Sequence, residues 1–298
     1  MNDFRQQPVF RFAPSPNGYL HLGHAYSALL NHDLARQTGG RFLLRIEDID
    51  TIRCKPEFEQ AAYEDLAWLG LEWKQPVLRQ SEHFSRYAAA LDDLRRRGLV
   101  YACRCSRKEI TAAVLAKESE SGKPWPRDPD GAPLYPGTCR SALLTPAIDE
   151  PIAWRLRNNP TTSPELGWRE HDLPAFEPGA FHRAEDHDWG DVVLGRKETP
   201  TSYHLSVVLD DALQGITHVV RGQDLLAATA IHRRLQELLN LPAPLYAHHP
   251  LIKGEIGEKL SKNIASKSLR SLRSEGATPE DIRRMIGIPS DAPPVSPT

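Results

Sequence analysis

Phe10 to His24 reads FRFAPSPNGYLHLGH, and this stretch decides the fold. Val9, Phe10 and Phe12 are strand formers, and Pro14, Pro16, Asn17 and Gly18 end the run with turn chemistry. A helix then opens near Leu22, carries Ala25, Ala28, Leu29 and Leu30 inward, and stops at Gly39-Gly40. A strand that feeds a helix N-terminus through a tight loop makes an anion site, because unpaired N–H groups and the helix dipole point the same way. His21 and His24 stand three residues apart at that mouth, so both can face one ligand and donate to phosphate oxygens. Gly23 between them lets a bulky group approach the backbone. Taken alone, two such histidines are more commonly solvated surface residues.

Outward from this stretch, Arg41 to Ile46 forms a second strand ending in Glu47-Asp48-Ile49-Asp50. Strand, helix and strand over this interval fit a right-handed βαβ crossover, the unit of a parallel sheet. Carboxylates just past a parallel strand's C-terminal end lie where open α/β sheets bind ligands, so Glu47 reads equally well as a ligand group or as a cap for the next helix. Helices are expected over 57–69 and 82–97, with Trp68 and Trp73 in core packing. The sheet is expected to resume at Tyr203–Leu209 and again at 216–222, runs rich in β-branched residues as buried parallel strands should be, followed by a helix over 223–239 and a strand over 246–252.

The 298 residues suffice for a main domain plus an insertion. A net charge of −2 gives no sign of a nucleic-acid partner, and the basic clusters at Arg95–Arg97 and Arg104–Lys108 read as solvated helix faces. No apolar run approaches the roughly 18 residues of a membrane span. The start MNDFRQQPVF lacks the basic-then-apolar plan of a signal peptide, so a cytoplasmic enzyme without a membrane partner is expected.

Of the four cysteines, Cys54 stands apart. Cys103 and Cys105 form a Cys-x-Cys knuckle, with Cys139 as a third thiol. Such a trio either binds a soft metal such as Zn²⁺ or packs as buried thiols. Spacing alone favours a histidine as fourth ligand. Residues 106–116 read as a helix and Lys117 to Pro133 as a polar loop. His171, His182 and His187 have no spacing that supports a second metal.

His21-Leu22-Gly23-His24 resembles the HIGH signature of class I aminoacyl-tRNA synthetases, and Arg11 to Gly18, RFAPSPNG, resembles the start of their glutamyl and glutaminyl branch. Lys259-Leu260-Ser261-Lys262-Asn263 looks like the KMSKS loop of the same enzymes, with Asn263 in place of the last hydroxyl. The resemblance implies an α/β fold: a Rossmann-type parallel-sheet nucleotide-binding domain carrying an inserted zinc-binding, acceptor-type α+β module. Its first half would be 1–98, the insert 99–190, the second half 191–265, and a short C-terminal appendage 266–298. It implies catalytic roles for His21, His24, Lys259 and Lys262. ATP would bind at His21, Gly23, His24 and Lys262. Glutamate would be held by Arg11, Phe12, Ala13, Pro14, Ser15, Glu47, Tyr203 and Arg221, with Glu47 on its amino group. In short paralogues of the glutamyl enzymes the thiol pattern is completed by Tyr-x-Gly-x-Cys, which Tyr135 to Cys139 matches, so the resemblance makes Tyr135 the fourth ligand of one structural Zn²⁺.

The implied chemistry is ATP-dependent activation of L-glutamate, with Mg²⁺ on the phosphates. The stretch after Asn263 is too short for an anticodon-binding domain of ordinary size. That shortness resembles the truncated paralogues that transfer glutamate to the queuosine base at the wobble position of tRNA(Asp), and a monomer is expected. A minimal enzyme charging the tRNA 3′ end and a non-catalytic glutamate- or tRNA-binding paralogue are the alternatives.

Overall fold

The computed structural model describes residues 7–142, 144, 150–158, 166–252 and 267–289. Three parallel strands, β1 (Val9–Phe12), β2 (Arg41–Ile46) and β3 (Lys74–Arg79), lie in that order, with Phe10 beside Phe42 and Phe12 beside Leu44. The crossover between β1 and β2 is α1 (Leu22–Gln37), as the Pro/Gly loop and Gly39 predict. Helix α2 (Pro56–Trp68) leads to β3, which the sequence reading did not anticipate because its Pro76 argues against a strand interior. Pro76 is tolerated because β3 is the edge of this sheet. A 3-10 turn at Gln80–His83 enters α3 (Phe84–Arg96).

A smaller antiparallel sheet follows, made of β4 (Val100–Cys103), β5 (Ala153–Leu156) and β8 (Val193–Gly195). Helix α4 (Arg107–Ser121) extends past the expected end at 116, so the first residues of the polar segment are helical until Gly122, whose φ of 63° terminates the helix. The hairpin β6 (Gly167–Asp172)–β7 (Glu177–Arg183) lies within the interval assigned to the insert, yet joins a different sheet, ordered β7–β6–β10–β9. Leu166 and Trp168 pack against Ile216, Val219 and Tyr246, which draws the hairpin onto the parallel strands. Sheet membership therefore crosses the boundary at 190 in both directions.

Tyr203–Leu209 is not a strand. It is the body of α5 (Tyr203–Leu213), and this corrects the sequence reading. A short apolar run buried on several sides has no period that separates strand from helix. Here Leu205, Val207 and Val208 are buried together with Asp210, which bonds Tyr87 and Gln80, and Asp211, which bonds Arg11 and Arg45. Strands β9 (His218–Gly222) and β10 (Leu245–His249) are parallel and joined by α6 (Ala228–Leu238). β9 lies beside β1, with the Thr217 N–H donating to the Val9 carbonyl at 3.1 Å. The C-terminal ends of β1 and β9 thus open onto one crevice.

After residues 253–266 the chain returns as α7 (Leu269–Ser274) and α8 (Pro279–Ile286). Leu269, Leu272, Ile282 and Ile286 join the core shared by α1, α2, β1 and β2, together with the partly buried Trp68 and Trp73. Arg283 clamps Asp33 of α1 with two bonds, at 2.7 and 3.1 Å. Among the described residues no helix is long and apolar enough to cross a membrane.

Candidate active site

One cavity of about 530 Å³ opens at the crevice between β1 and β9. Arg11, Phe12, Ala13, Pro14, Ser15, His21, Gly23, His24, Glu47, Tyr203 and Arg221 all line it. The two lysines assigned to the adenylation loop, Lys259 and Lys262, lie outside the described residues. The described chain on either side of them is at the cavity: Leu251 and Ile252 line it, and Ser268 bridges His21.

The start of α1 is capped by histidines. His21 is the N-cap; its Nδ1 accepts from the Gly23 N–H at 3.1 Å, and the His21 N–H donates to His24 Nδ1 at 3.2 Å. Each Nδ1 is therefore an acceptor, which places the proton of each neutral ring on Nε2. Burial and the neighbouring His21 depress His24 to about 4, and burial lowers His21 as well, so both rings are neutral near pH 7. The pair presents two Nε2–H donors beside a helix N-terminus, which suits phosphate oxygens. A Cβ on Gly23 would come within 3.0 Å of the His21 ring, so glycine here serves the cap as well as ligand access.

The floor is a buried charge chain. Asp211 Oδ1 accepts from Arg11 Nε at 3.1 Å and from Arg45 at 2.7 Å, and Arg45 reaches Glu47 at 3.0 Å. Burial opposes ionisation of Asp211, but the two guanidiniums hold its carboxyl below the ordinary carboxylate range. Burial pushes Glu47 up, and Arg45 offsets only part of that. An ammonium group arriving in the cavity would favour the ionised form of Glu47.

Arg221 donates to His248, Tyr203, His232, Leu225 O and Thr229, which occupies all five of its N–H groups. The terminal nitrogens of Arg11 have no such acceptors among the described residues. Arg11 is thus the readier carboxylate clamp, while Arg221 orients Tyr203 by donating to its hydroxyl oxygen and leaving its proton free. Asn17, Ser27, Asp224, His249, Leu251 and Ile252 also line the cavity and were not singled out in the sequence. Asp211 acts beneath it; the doublet Asp210-Asp211 after an apolar run was its one sequence signal.

The thiols of Cys103, Cys105 and Cys139 converge within 4.8 Å, and Cys54 is not among them. The Tyr135 hydroxyl lies 3.3 Å from Cys103 Sγ and 3.4 Å from Cys105 Sγ, and Cys105 and Cys139 are 3.5 Å apart. A tetrahedron with Zn–S near 2.3 Å and Zn–O near 2.0 Å has edges of roughly 3.5–3.8 Å, so the four groups fit zinc. Burial raises the Cys139 thiol, but its contact with the Tyr135 hydroxyl and further hydrogen bonds bring it down to about 7. The Arg155 guanidinium lies 3.8 Å above the Tyr135 ring. His171 and His182 stack on Phe176 and Trp168, apart from the exposed group of Glu185, His187 and Asp188.

Residues 8–165 and 175–288 match the family described as tRNA synthetases class I (E and Q), catalytic domain. The chain is 50% identical over 286 residues to a glutamyl-Q tRNA(Asp) synthetase of Rhodobacter capsulatus, covering 94% of this chain and 100% of that protein. It is 42% identical over 261 residues to a protein of the same name from Thiobacillus denitrificans, covering 88% and 79% of the two. A crystal structure of a glutamate tRNA ligase from Elizabethkingia meningosepticum, in complex with its amino acid, superposes with a TM-score of 0.71 at 26% identity. That match covers 94% of this chain, which spans 60% of the ligase.

Proposed function

Because the chain belongs to the class I tRNA synthetases of the glutamyl and glutaminyl type, and within them to the glutamyl-Q tRNA(Asp) synthetases, we propose that it activates L-glutamate with ATP and transfers it to the queuosine base of tRNA(Asp). The observation that carries this reading is the single cavity in which two Nε2–H donors, a guanidinium with free donors and a buried carboxylate converge.

Glu47 takes the substrate ammonium, and Arg11 with Tyr203 takes a carboxylate, in line with the match between a fork of donors and a carboxylate. The α-carboxylate oxygen attacks the α-phosphorus of ATP, forming glutamyl-adenylate as the bond to pyrophosphate breaks. His21, His24 and the α1 N-terminus meet the phosphate charge, which ATP brings in together with its Mg²⁺. Lys259 and Lys262 follow the cavity in sequence and supply ammonium groups to the same charge, stronger in the transition state than before it. A hydroxyl of the queuosine cyclopentene diol then attacks the acyl carbon, its proton is lost, and AMP leaves. No covalent enzyme intermediate is needed, because positioning and charge neutralisation suffice.

Cys103, Cys105, Tyr135 and Cys139 would hold one structural Zn²⁺, fixing the end of β4 to the loop after α4. The hairpin β6–β7 and residues 196–252 complete the catalytic body begun by 1–98, and the smaller antiparallel sheet of β4, β5 and β8 forms the acceptor-side module.

The test is transfer of labelled glutamate, with ATP, to tRNA from cells able or unable to make queuosine. Label confined to queuosine-containing tRNA, and formed on it only when the diol has escaped periodate, supports the reading. Equal label on both pools would make the protein a short glutamate–tRNA ligase, the reading that its likeness to the Elizabethkingia enzyme favours.

A further inference from the structure

Arg221 is a buried cation, and none of its five bonds goes to a carboxylate. Its fan of donors holds only while each acceptor keeps a lone pair aimed at it. Two of those acceptors are histidines, whose lone pair sits on whichever ring nitrogen lacks the proton. Arg221 Nε donates to His248 Nε2 at 3.1 Å, and Arg221 Nη1 donates to His232 Nδ1 at 3.0 Å. The Thr229 hydroxyl, 3.3 Å from His248 Nε2, can donate to the same nitrogen. Burial lowers both histidines, so both are neutral near pH 7. The two rings therefore carry opposite tautomers, His248 with its proton on Nδ1 and His232 with its proton on Nε2. His232 Nε2 lies 3.3 Å from His204 Nδ1, so its N–H donates there and His204 keeps its own proton on Nε2.

The His248 tautomer is set from another element. Glu170, on β6 of the hairpin, holds both carboxylate oxygens 3.0 Å from His248 Nδ1. It also accepts from the His248 main-chain N–H at 2.6 Å and from the Trp168 indole N–H at 3.0 Å. Burial opposes ionisation of Glu170, but these bonds hold its carboxyl below the ordinary range. An ionised carboxylate only accepts, so Nδ1 donates to it and Nε2 stays open to Arg221. With the proton on Nε2 instead, two N–H groups would face each other across a buried 3.1 Å gap, and the arginine would have to move. We infer that Glu170 is a positioning residue for substrate glutamate: it fixes the His248 proton on Nδ1, which seats Arg221, which in turn aims the Tyr203 hydroxyl at the substrate carboxylate. This rests on the glutamate-binding part of the function proposed above and is independent of the acceptor. The hairpin thus reaches the amino-acid pocket although Glu170 does not line it.

Two variants of the full chain test this. Glu170→Met removes the acceptor at similar size, whereas Glu170→Gln keeps one carbonyl oxygen that can receive both His248 bonds. In ¹⁵N spectra of the histidine-labelled wild type, His248, assigned by the peak lost in His248→Gln, is expected as the neutral Nδ1–H tautomer. Glu170→Met should lose that signature. Its Kd for glutamate, by calorimetry, should rise about tenfold while its Kd for ATP stays within about twofold. Glu170→Gln should keep the tautomer and bind glutamate within about threefold of the wild type. A wild-type His248 with its proton on Nε2, or on both nitrogens, would overturn the inference. So would normal glutamate binding by Glu170→Met, an equal loss of glutamate and ATP in that variant, or equal weakening of the Met and Gln variants. Each of these leaves the proposed function standing. A wild type that binds no glutamate would overturn that function and this inference with it.

Discussion

Arg11 Nε donates to Asp211 Oδ1 at 3.1 Å across 200 residues of sequence, and this bond turns the rest of the guanidinium toward the cavity. Asp211 also neutralises Arg45, which is fully buried. Asp211→Asn should therefore act twice. With Arg45 left to Glu47 alone and Arg11 without a carboxylate, the loss of buried-charge compensation is expected to cost about 3–5 kcal/mol in urea unfolding. The loosened clamp should raise KM for glutamate about tenfold. An Asn variant with wild-type stability would show that Arg45 is neutralised elsewhere.

Glu47→Gln keeps a hydrogen-bond acceptor for Arg45 but removes the charge that meets an ammonium. KM for glutamate should rise at least about tenfold. Because burial lifts the Glu47 pKa above its ordinary 4.5, the wild type should lose glutamate affinity as pH falls toward that raised value. The Gln variant should lose this pH dependence, which a KM–pH profile reads directly.

Removing a donor from the phosphate side should slow the chemical step and spare amino-acid binding. His24→Ala and Lys262→Ala are each expected to lower kcat for adenylate formation by about 10²–10³. Glutamate binding, followed by calorimetry, should change little. Near-normal turnover in Lys262→Ala would remove that lysine from the mechanism.

His218 stacks on Phe10 with ring centroids 4.6 Å apart, and burial lowers its pKa to about 4. Between about pH 6.5 and 4 the unfolded chain binds the proton and the folded chain does not, so this histidine's contribution is complete above 6.5 and is lost as pH falls. The expected loss is up to about 1.4 kcal/mol per pH unit in that window. Urea midpoints for His218→Gln should show a shallower pH slope than the wild type; identical slopes would contradict the assignment.

For the thiol cluster, metal analysis of the purified protein should give one zinc per chain. Cys139→Ser should lose most of it. Tyr135→Phe should retain three thiol ligands and release zinc to a chelator faster than the wild type, with a lowered melting temperature in both variants. Full retention in Tyr135→Phe would point to a different fourth ligand.

The first βαβ unit was legible because its signals are local: proline and glycine in the β1–α1 loop, Gly39 past the helix, and the acidic end of β2. The same holds for the residues on that unit that meet in the cavity. What escaped depends on long-range partners. Nothing local in Tyr203–Leu209 says that Asp210 will meet Tyr87 and that Asp211 will meet Arg11, yet those bonds accompany the helical spacing there. Strand β3 escaped for a related reason, since Pro76 is acceptable only on an edge and edges are a property of the sheet. The hairpin β6–β7 was assigned by sequence interval to the insert, whereas its packing on Tyr246 decides where it belongs.

Most helices begin on a serine, threonine or aspartate, and any of these could start α1 as well as His21 does. None would leave a second nitrogen pointing outward. The bond that begins the helix also selects the tautomer that faces the ligand, so a change that frays the first turn of α1 alters acid–base character at the cavity in the same event. Folding and reactivity here answer to one proton position, and neither can drift without the other.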